Sequence, residues 1–345
     1  MRDVLSYLYV NATVMAKEGK FIPQARWEDL WEATSPGEVA SLLEATDYSP
    51  YLSEGAVSDA GELEEAILTE FSVVGKEISE IIPKGAWPIK EYLLRKWDVI
   101  NLRTAIRGMH SGAKKEEILA SLVEGGELDV GFLSAIIDAE SMEDLVAMLT
   151  RTPYRVLSQG LARYSETNNL FFLESLLDKA FWENLWLAVL NSKASKGFRE
   201  FLEVCVETHN LKIILRAKQG HLLREEVEPC LIQECKILDE VLVAFDEEDI
   251  AGLLPLLDGT PYFEPLASRQ SEYESTGSIL AFEEVLDGAV RAKGEDISKK
   301  RPFGAGPLIG FLVSKETEVR NLLALVRSTE VGLHREEVRE AITRN

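Results

Sequence analysis

The chain is poor in the residues that most often carry chemistry. Its 345 residues include three cysteines and four histidines. An odd number of cysteines, behind a start (MRDVLSYLYV) that is not a signal peptide, indicates a reducing environment rather than a disulfide framework. No Ser/His/Asp or Cys/His triad can be assembled with confidence from four histidines. We therefore predict no catalytic residue, no cofactor and no metal.

Positive charge and long apolar runs are also in short supply. Lys and Arg number 37 against 59 Asp and Glu, which gives a net charge of −22. Nucleic-acid binding depends on neutralising phosphates with Lys and Arg, so we predict no nucleic-acid partner. The same balance disfavours docking on anionic lipid headgroups. No apolar run approaches the ~18 residues that a membrane span needs.

Two groups of residues need an alternative kept open. All three cysteines and two histidines lie close together in the sequence, at Cys205, His209, His221, Cys230 and Cys235. A metal site is one interpretation, but the Cys-x4-Cys spacing is loose and Cys230 takes the place of Ser121 and Ala341 elsewhere. Buried, unreactive thiols are the favoured interpretation. The acidic run 225–249, with ten acids and one base, is either a solvated face or a rim that meets a basic partner.

Glycines in the stretch RPFGAGPLIG, at Gly304, Gly306 and Gly310, give a spacing that misses a dinucleotide loop, and no strand precedes them. We interpret Gly310 as a place where a neighbouring helix approaches closely. No Walker A motif and no direct small-molecule ligand site is found.

The dominant feature is a frame that occurs three times. It consists of an acid, an Asn three residues later followed by Leu, an Arg six residues after the Asn, and a Glu pair nine residues after the Arg. The copies are Asp98, Asn101, Arg107 and Glu116–Glu117; Glu207, Asn210, Arg216 and Glu225–Glu226; and Glu318, Asn321, Arg327 and Glu336–Glu337. Their period of about 110 residues indicates a threefold internal repeat.

Apolar residues around each frame recur at spacings of three and four, which predicts one face of a long helix. A glycine near the end of each predicted helix (Gly112, Gly220, Gly332) is typical of a C-terminal cap. The Glu pair then falls in the first turn of the next helix, where acids suit the helix dipole. We expect the frame Asn and Arg to maintain the fold, with each Arg bonded inside its own unit.

A second signal precedes each frame. Ser49-Pro50-Tyr51, Thr152-Pro153-Tyr154 and Thr260-Pro261-Tyr262 each follow a short Leu-rich helix and predict a helix start. No segment alternates with period two, so the predicted fold is all-α. It comprises an N-terminal helix (1–19) and three similar helical units (20–125, 126–235 and 236–345). A weaker hypothesis is that the first helix closes the units into a ring.

The sequence resembles the C subunit of the archaeal and bacterial V/A-type ATP synthases, and its eukaryotic relative, the d subunit of the vacuolar ATPase. The stretches WDVINLRTAIRG and RPFGAGPLIGFL, with the ending from Glu318 onward, carry the resemblance. The family implies a funnel of three helical units with pseudo-threefold symmetry. It further implies a non-catalytic rotor subunit, peripheral on the cytoplasmic face of the membrane. Its partners would be the D and F subunits of the central axle and the membrane proteolipid ring. The alternative is an all-α scaffold unrelated to the ATPase.

Overall fold

The chain is helical throughout the part that the structure describes. The structure, a computed structural model, describes residues 2–52, 59–192, 195–233, 238–246 and 248–331. Among these residues there is no strand, and α-helices are joined by short 3-10 turns and loops. The predicted all-α class is confirmed.

The helices follow the same order in each third of the chain. The first third contains α1 (Arg2–Glu18), α2 (Gln24–Trp31), α3 (Pro36–Leu43), α4 (Ala60–Ile81), α5 (Trp87–Ser111) and α6 (Lys115–Ala120). The second contains α7 (Val130–Ile137), α8 (Met142–Met148), α9 (Leu161–Thr167), α10 (Phe171–Leu190), α11 (Lys196–Gln219) and α12 (Arg224–Val227). The third contains α13 (Leu238–Val243), α14 (Ile250–Leu253), α15 (Phe263–Ala267), α16 (Gln270–Thr276), α17 (Leu280–Lys300) and α18 (Gly306–Val331). Each third has a long acidic helix (α4, α10, α17) followed by a long frame helix (α5, α11, α18). The exact unit boundaries stay a prediction.

Local sequence sets the ends of these helices. The Asp59 carboxylate accepts a hydrogen bond from the N–H of Gly61 at the start of α4, and Ser195 does the same for Phe198 in α11. Gly112 ends α5 with φ of 71°, as predicted. Gly220 is the C-cap residue of α11 but comes one place early, since its φ is −81° and the left-handed conformation falls on His221. Gly332 lies outside the described residues.

The apolar stripe of each frame helix is buried. All eighteen predicted positions are in the core: Ile89, Tyr92, Leu93, Leu102, Ala105, Ile106; Phe198, Phe201, Leu202, Leu211, Ile214, Leu215; Ile309, Leu312, Val313, Leu322, Leu325 and Val326. At roughly 25 cal/mol per Å² of apolar surface, these stripes stabilise the helices far more than helix propensity does.

Each frame helix packs against the acidic helix of the next unit. The pairs are α5 with α10, α11 with α17, and α18 with α4. The last pair joins the two ends of the chain, and it has its own hydrophobic core. In that core Val319, Leu322 and Leu325 of α18 lie among Leu30, Leu43 and Ile67. The units therefore close into a ring, whereas the funnel-like outline stays a prediction.

The second repeated signal marks the same turn in the second and third units and is shifted in the first. The predicted helix start is wrong in all three, because the residue that precedes the next helix is Tyr48, Tyr154 or Tyr262. In the second and third units, the Thr152 and Thr260 hydroxyls accept from the N–H of the Tyr two residues later, forming a turn rather than an α-helix start. In the first unit the same bond joins Thr46 to Tyr48. The structural equivalent is thus Thr46-Asp47-Tyr48, three residues before Ser49-Pro50-Tyr51. Pro50 makes Ser49-Pro50-Tyr51 look like the other two motifs, but the tyrosine that corresponds to Tyr154 and Tyr262 is Tyr48.

Candidate functional site at the unit junctions and the central cavity

The frame acids bind the tyrosine of the following unit. Asp98 Oδ2 accepts from the Tyr154 hydroxyl at 3.1 Å, and Glu207 Oε2 accepts from Tyr262 at 2.7 Å. Glu318 Oε1 accepts from Tyr48 at 2.9 Å, which completes the ring. Each acid is therefore a joint between units rather than a residue poised for catalysis.

The same acids also hold the chain entering the next unit. The N–H of Leu128 donates to Asp98 Oδ1 at 2.9 Å, and the N–H of Ile22 donates to Glu318 Oε2 at 2.8 Å. Asp98 is 1% exposed. Burial raises its pKa, the hydrogen bonds from Leu128 and Tyr154 lower it, and the net result is a pKa of about 6. The bond to Ile22, directly after α1, supports the hypothesis that the N-terminal segment takes part in closing the ring.

The frame Asn fixes the connector that follows its own helix. Asn101 Nδ2 donates to the Val123 carbonyl at 2.7 Å, and its Oδ1 accepts from the Val123 N–H at 2.9 Å. Asn210 repeats both bonds with Ile232, again 22 residues later. A buried amide that is satisfied on both sides explains why a poor helix former occupies this position. The counterpart for Asn321 would be residue 343, which lies outside the described residues.

The frame Arg also reaches the next unit, so the expectation of a bond within its own unit is wrong. The ion pairs are Arg107 with Glu174, Arg216 with Glu283, and Arg327 with Glu64. Arg107 makes two hydrogen bonds to Glu174, at 2.5 and 2.9 Å. The three guanidinium side chains are 58, 48 and 67% exposed, so each pair contributes at most about 1 kcal/mol. Sequence reasoning missed the acids, although both Glu174 and Glu283 follow their Arg by 67 residues.

A second row of pairs distinguishes the junctions. Arg103 pairs with Asp178 at the first junction, and Lys212 pairs with Asp287 at the second. At the third junction the corresponding positions are Leu323 and Leu68, which pack against the closing core. The closing junction therefore replaces a charged contact by an apolar one.

The closing junction has instead a buried cation. Lys315 Nζ lies 2.8 Å from Glu70 Oε2 and 3.0 Å from Glu318 Oε1, and it donates to the Tyr48 hydroxyl at 3.0 Å. Lys315 and Glu70 are 5 and 4% exposed. Glu70 Oε2 has a charge partner but no hydrogen-bond donor of good geometry among the described residues, and burial raises the pKa of Glu70. At the other junctions, counting along the frame, Arg95 and Val204 take the position of Lys315.

A central cavity of about 620 Å³ lies between the frame helices. Its lining includes six cations (Lys96, Arg103, Arg107, Lys212, Arg216 and Arg320) and four carboxylates (Glu174, Asp178, Asp287 and Glu316). Lys96 pairs with Glu316 at 2.6 Å, and Arg320 with Asp287 at 3.1 Å. The interior thus carries an excess of two positive charges in a chain whose net charge is −22.

The cavity has a closed end and an open end. Tyr92, Phe181, Phe198 and Phe201 lie ring against ring at one end, and all are buried. Further along the frame helices, Arg107 and Arg216 are about half exposed. The cavity therefore opens towards the C-terminal ends of the frame helices.

The cysteine and histidine cluster gives no metal site among the described residues. Cys205 and Cys230 are buried and unpaired, and burial raises the pKa of Cys230 to about 11. His209 lines the cavity, and burial lowers its pKa to about 4. Cys235 lies outside the described residues. The favoured interpretation of inert thiols agrees with the surroundings of Cys205 and Cys230.

The glycine stretch allows a close helix contact. A Cβ on Gly310 would lie 2.7 Å from Ser298 of α17, and one on Gly306 would lie 2.4 Å from the Arg301 carbonyl oxygen. The interpretation of Gly310 as a place of close approach is confirmed. In the acidic run, Glu225, Asp246, Glu248 and Asp249 are exposed. No helix in the described ranges is both long enough and apolar enough to span a membrane.

The sequence comparisons agree with this architecture. The chain is 34% identical to the C subunit of the A-type ATP synthase from Methanocaldococcus jannaschii, over 99% of this chain and 87% of that protein. It is 32% identical to the C subunit from Methanothermobacter thermautotrophicus, over 99% and 88%. The C subunit from Haloferax volcanii is 28% identical, over 94% of both chains. The sequence profile of the ATP synthase (C/AC39) subunit family matches residues 10–341. This chain therefore belongs to the ATP synthase (C/AC39) subunit family.

Proposed function

We propose that this chain is a non-catalytic rotor subunit of an A/V-type ATP synthase, joining the central axle to the membrane proteolipid ring. The observation that carries the proposal is the closed ring of three helix pairs around a cavity with one open end. The relatives are C subunits of A-type ATP synthases, and we assign this chain to that complex on their basis. Family membership argues against the alternative of an unrelated scaffold.

The open end of the cavity suits the foot of the axle, formed by the D and F subunits. Inside, the excess positive charge favours acidic side chains at the tip of the foot. Outside, exposed acids such as Glu225 and Asp249 favour basic side chains further up. The closed end would then face the proteolipid ring, on the cytoplasmic side of the membrane.

Torque requires that the three units do not slide past one another. Each junction combines an acid–tyrosine bond, buried at two junctions and partly buried at the Glu207 junction, with an exposed Arg–Glu pair. Because the ring closes on itself, a turning force on one frame helix is carried by all three junctions. The chain would thus transmit rotation without chemistry of its own.

The cavity assignment is tested by filling it. Val290 is half-buried and lines the cavity, so Val290→Trp should block the axle foot. Val130→Trp, at an exposed position of α7, is the matched control. We expect the first variant, but not the control, to lose binding to purified D–F subcomplex. In the reconstituted complex we expect ATP hydrolysis to survive and ion pumping to fail.

Full axle binding by a folded Val290→Trp variant would contradict the cavity assignment. Isolation of the chain from native membranes without axle or ring subunits would contradict the rotor role itself.

A further inference from the structure

Charge is distributed unevenly along the long axis of the molecule. Each acidic helix is followed by its frame helix, and the described residues that connect and flank the two are 81–90, 184–192 with 195–199, and 297–306. These described segments contain seven Lys and Arg and no Asp or Glu, although acids outnumber bases 59 to 37 in the whole chain. We call the surface formed by these segments the basic tip face.

The three tips lie at the same end of the molecule. Late residues of each frame helix pair with early residues of the adjoining acidic helix, as Arg107 does with Glu174, so these helices run antiparallel. The start of α11 meets the end of α17, where Arg301 pairs with Glu200. Asn11 of α1 donates to the Gly304 carbonyl at 3.0 Å, which brings α1 to the third tip. The basic tip face is therefore a single end of the body, on the closed side of the cavity.

Large apolar side chains are exposed on the same end. Trp87, Leu187, Leu190 and Phe303 are contributed by the three tips, and Phe303 is 70% exposed. Near the third tip, α1 exposes Leu8 and Tyr9. The cations among them are also exposed: Lys84, Lys90, Lys196, Arg199, Lys299 and Lys300. Lys299 and Lys300 have only exposed partners one helical turn away, which bind weakly.

The opposite end carries exposed acids together with cations. The Glu pairs at the starts of α6 and α12 and the acids Asp246 and Asp249 lie beyond the C-terminal ends of the frame helices. The net charge of −22 therefore does not describe the basic tip face. The net charge disfavours anionic lipid for the molecule as a whole, whereas the basic tip face concentrates exposed cations at one end.

We infer that the basic tip face binds anionic lipid headgroups directly. Exposed Lys and Arg interleaved with Trp, Phe and Leu are typical of side chains at a membrane interface, where cations meet phosphate and apolar rings enter the headgroup layer. The apolar residues are spread over three separate tips rather than gathered in one groove, which suits a lipid surface better than a single protein segment. The inference rests on the proposed function only for the side of the chain that faces the membrane.

The test uses the purified full chain and sucrose-loaded vesicles. One set contains equal parts of phosphatidylcholine and phosphatidylglycerol, and the other contains phosphatidylcholine alone. At low ionic strength we expect binding to the anionic set to be stronger by at least about a hundredfold, with loss of binding as salt screens the charges. Neutralising one cation per tip, in Lys84→Gln/Lys196→Gln/Lys299→Gln, should weaken binding about a hundredfold, or about fivefold per charge.

A matched control neutralises three exposed cations away from the tips. Lys114, Lys115 and Arg163 lie near the starts of α6 and α12, so Lys114→Gln/Lys115→Gln/Arg163→Gln should keep full vesicle binding. Phe303→Ser, at a position too exposed to affect folding, should weaken binding without changing charge. Equal binding to both vesicle sets, or equal loss in the tip variant and the control, would overturn the inference.

Binding to the detergent-solubilised, lipid-free proteolipid ring separates this inference from the proposed function. A chain that binds the ring but ignores anionic vesicles uses the basic tip face for protein contacts, which overturns the lipid inference and leaves the rotor role standing. Binding to vesicles with no binding to the ring supports the lipid inference, while the proposed function fails.

Discussion

At the scale of single residues, buried polar groups hold the units together. Asp98 accepts hydrogen bonds from Tyr154 and from the N–H of Leu128, both beyond the end of its own unit's frame helix. Ionisation of Asp98 in the folded chain nonetheless costs free energy. Burial raises its pKa more than the hydrogen bonds lower it, so that the pKa is about 6 instead of the ordinary 3.8. Asp98 therefore fixes how the first two units join, but its ionised form lowers the free energy of unfolding.

The pKa of Asp98 predicts a pH dependence with a definite sign. The folded chain holds this proton more tightly than the unfolded chain, so its contribution to stability falls as the pH rises from about 4 to about 6. In Asp98→Asn the amide oxygen can still accept from Leu128, and its NH₂ can donate to the Tyr154 hydroxyl. We expect the variant to be more stable than the wild type at pH 7, by at most about 3 kcal/mol. Thermal melts measure this difference.

The difference should shrink as the pH falls from about 6 to about 4, where the wild-type carboxyl is protonated. Tyr154→Phe is the complementary variant, since it removes a donor and should destabilise the chain more at pH 7 than at pH 4. A constant difference for Asp98→Asn across this range would contradict the assigned pKa.

At the scale of helices, the three junctions share the acid–tyrosine bond and the Arg–Glu pair but differ in their other contacts. The first and second carry two charged pairs each, and the third has Leu68 and Leu323, both packed against the closing core, in place of one of them. The third adds Lys315, buried between Glu70 and Glu318. A buried pair fixes the register of α18 on α4 rather than adding much stability, because desolvation offsets the attraction.

Removal of the cation alone should therefore be severe. Lys315→Met leaves Glu70 without a counter-ion, and we expect a loss of about 3–5 kcal/mol in the free energy of unfolding. Lys315→Met/Glu70→Met removes both charges and should recover much of that loss. Urea denaturation of the single and double variants measures the coupling.

Lys299→Met breaks an exposed pair with Glu295 and serves as the control, with an expected change within about 0.5 kcal/mol. Additive effects in the double variant would show that Lys315 and Glu70 act independently, against the assigned pair.

At the scale of the whole molecule, the last frame helix completes the first unit. Leu322 and Val326 of α18 are buried in the core that contains Leu30, Leu43 and Leu63. A helix near the end of the chain thus supplies part of the hydrophobic core near its beginning. The stability of the first unit depends on closure of the ring.

Deletion of residues 304–345 should therefore do more than remove one unit's long helix. We expect the first unit to lose cooperative folding as well, because one wall of its core would be exposed. Circular dichroism should show a helical loss beyond that of α18 itself, and hydrogen exchange should locate it in α2, α3 and α4. Full protection of these helices in the truncated chain would show that the first unit folds alone.

The features of the fold that could be predicted from the sequence are those set by residues close together in the chain. The spacing of apolar residues fixed the class, the long frame helices and their buried face, since helical periodicity acts over a few residues. The threefold frame and the family resemblance followed from the same positions. The Asn at each frame was expected to maintain the fold, and Asn101 and Asn210 make identical bonds 22 residues along the chain.

Only the tertiary structure decided which residues meet. Arg107 forms its ion pair with Glu174 of the next unit rather than within its own unit. Tyr48, not Tyr51, donates the hydrogen bond to Glu318, which is 270 residues away in sequence. No local pattern specifies such partners, because they depend on how whole helices pack around a common axis. The same packing gathers three basic turns at one end of an acidic chain, since antiparallel hairpins in a closed ring bring their tips together.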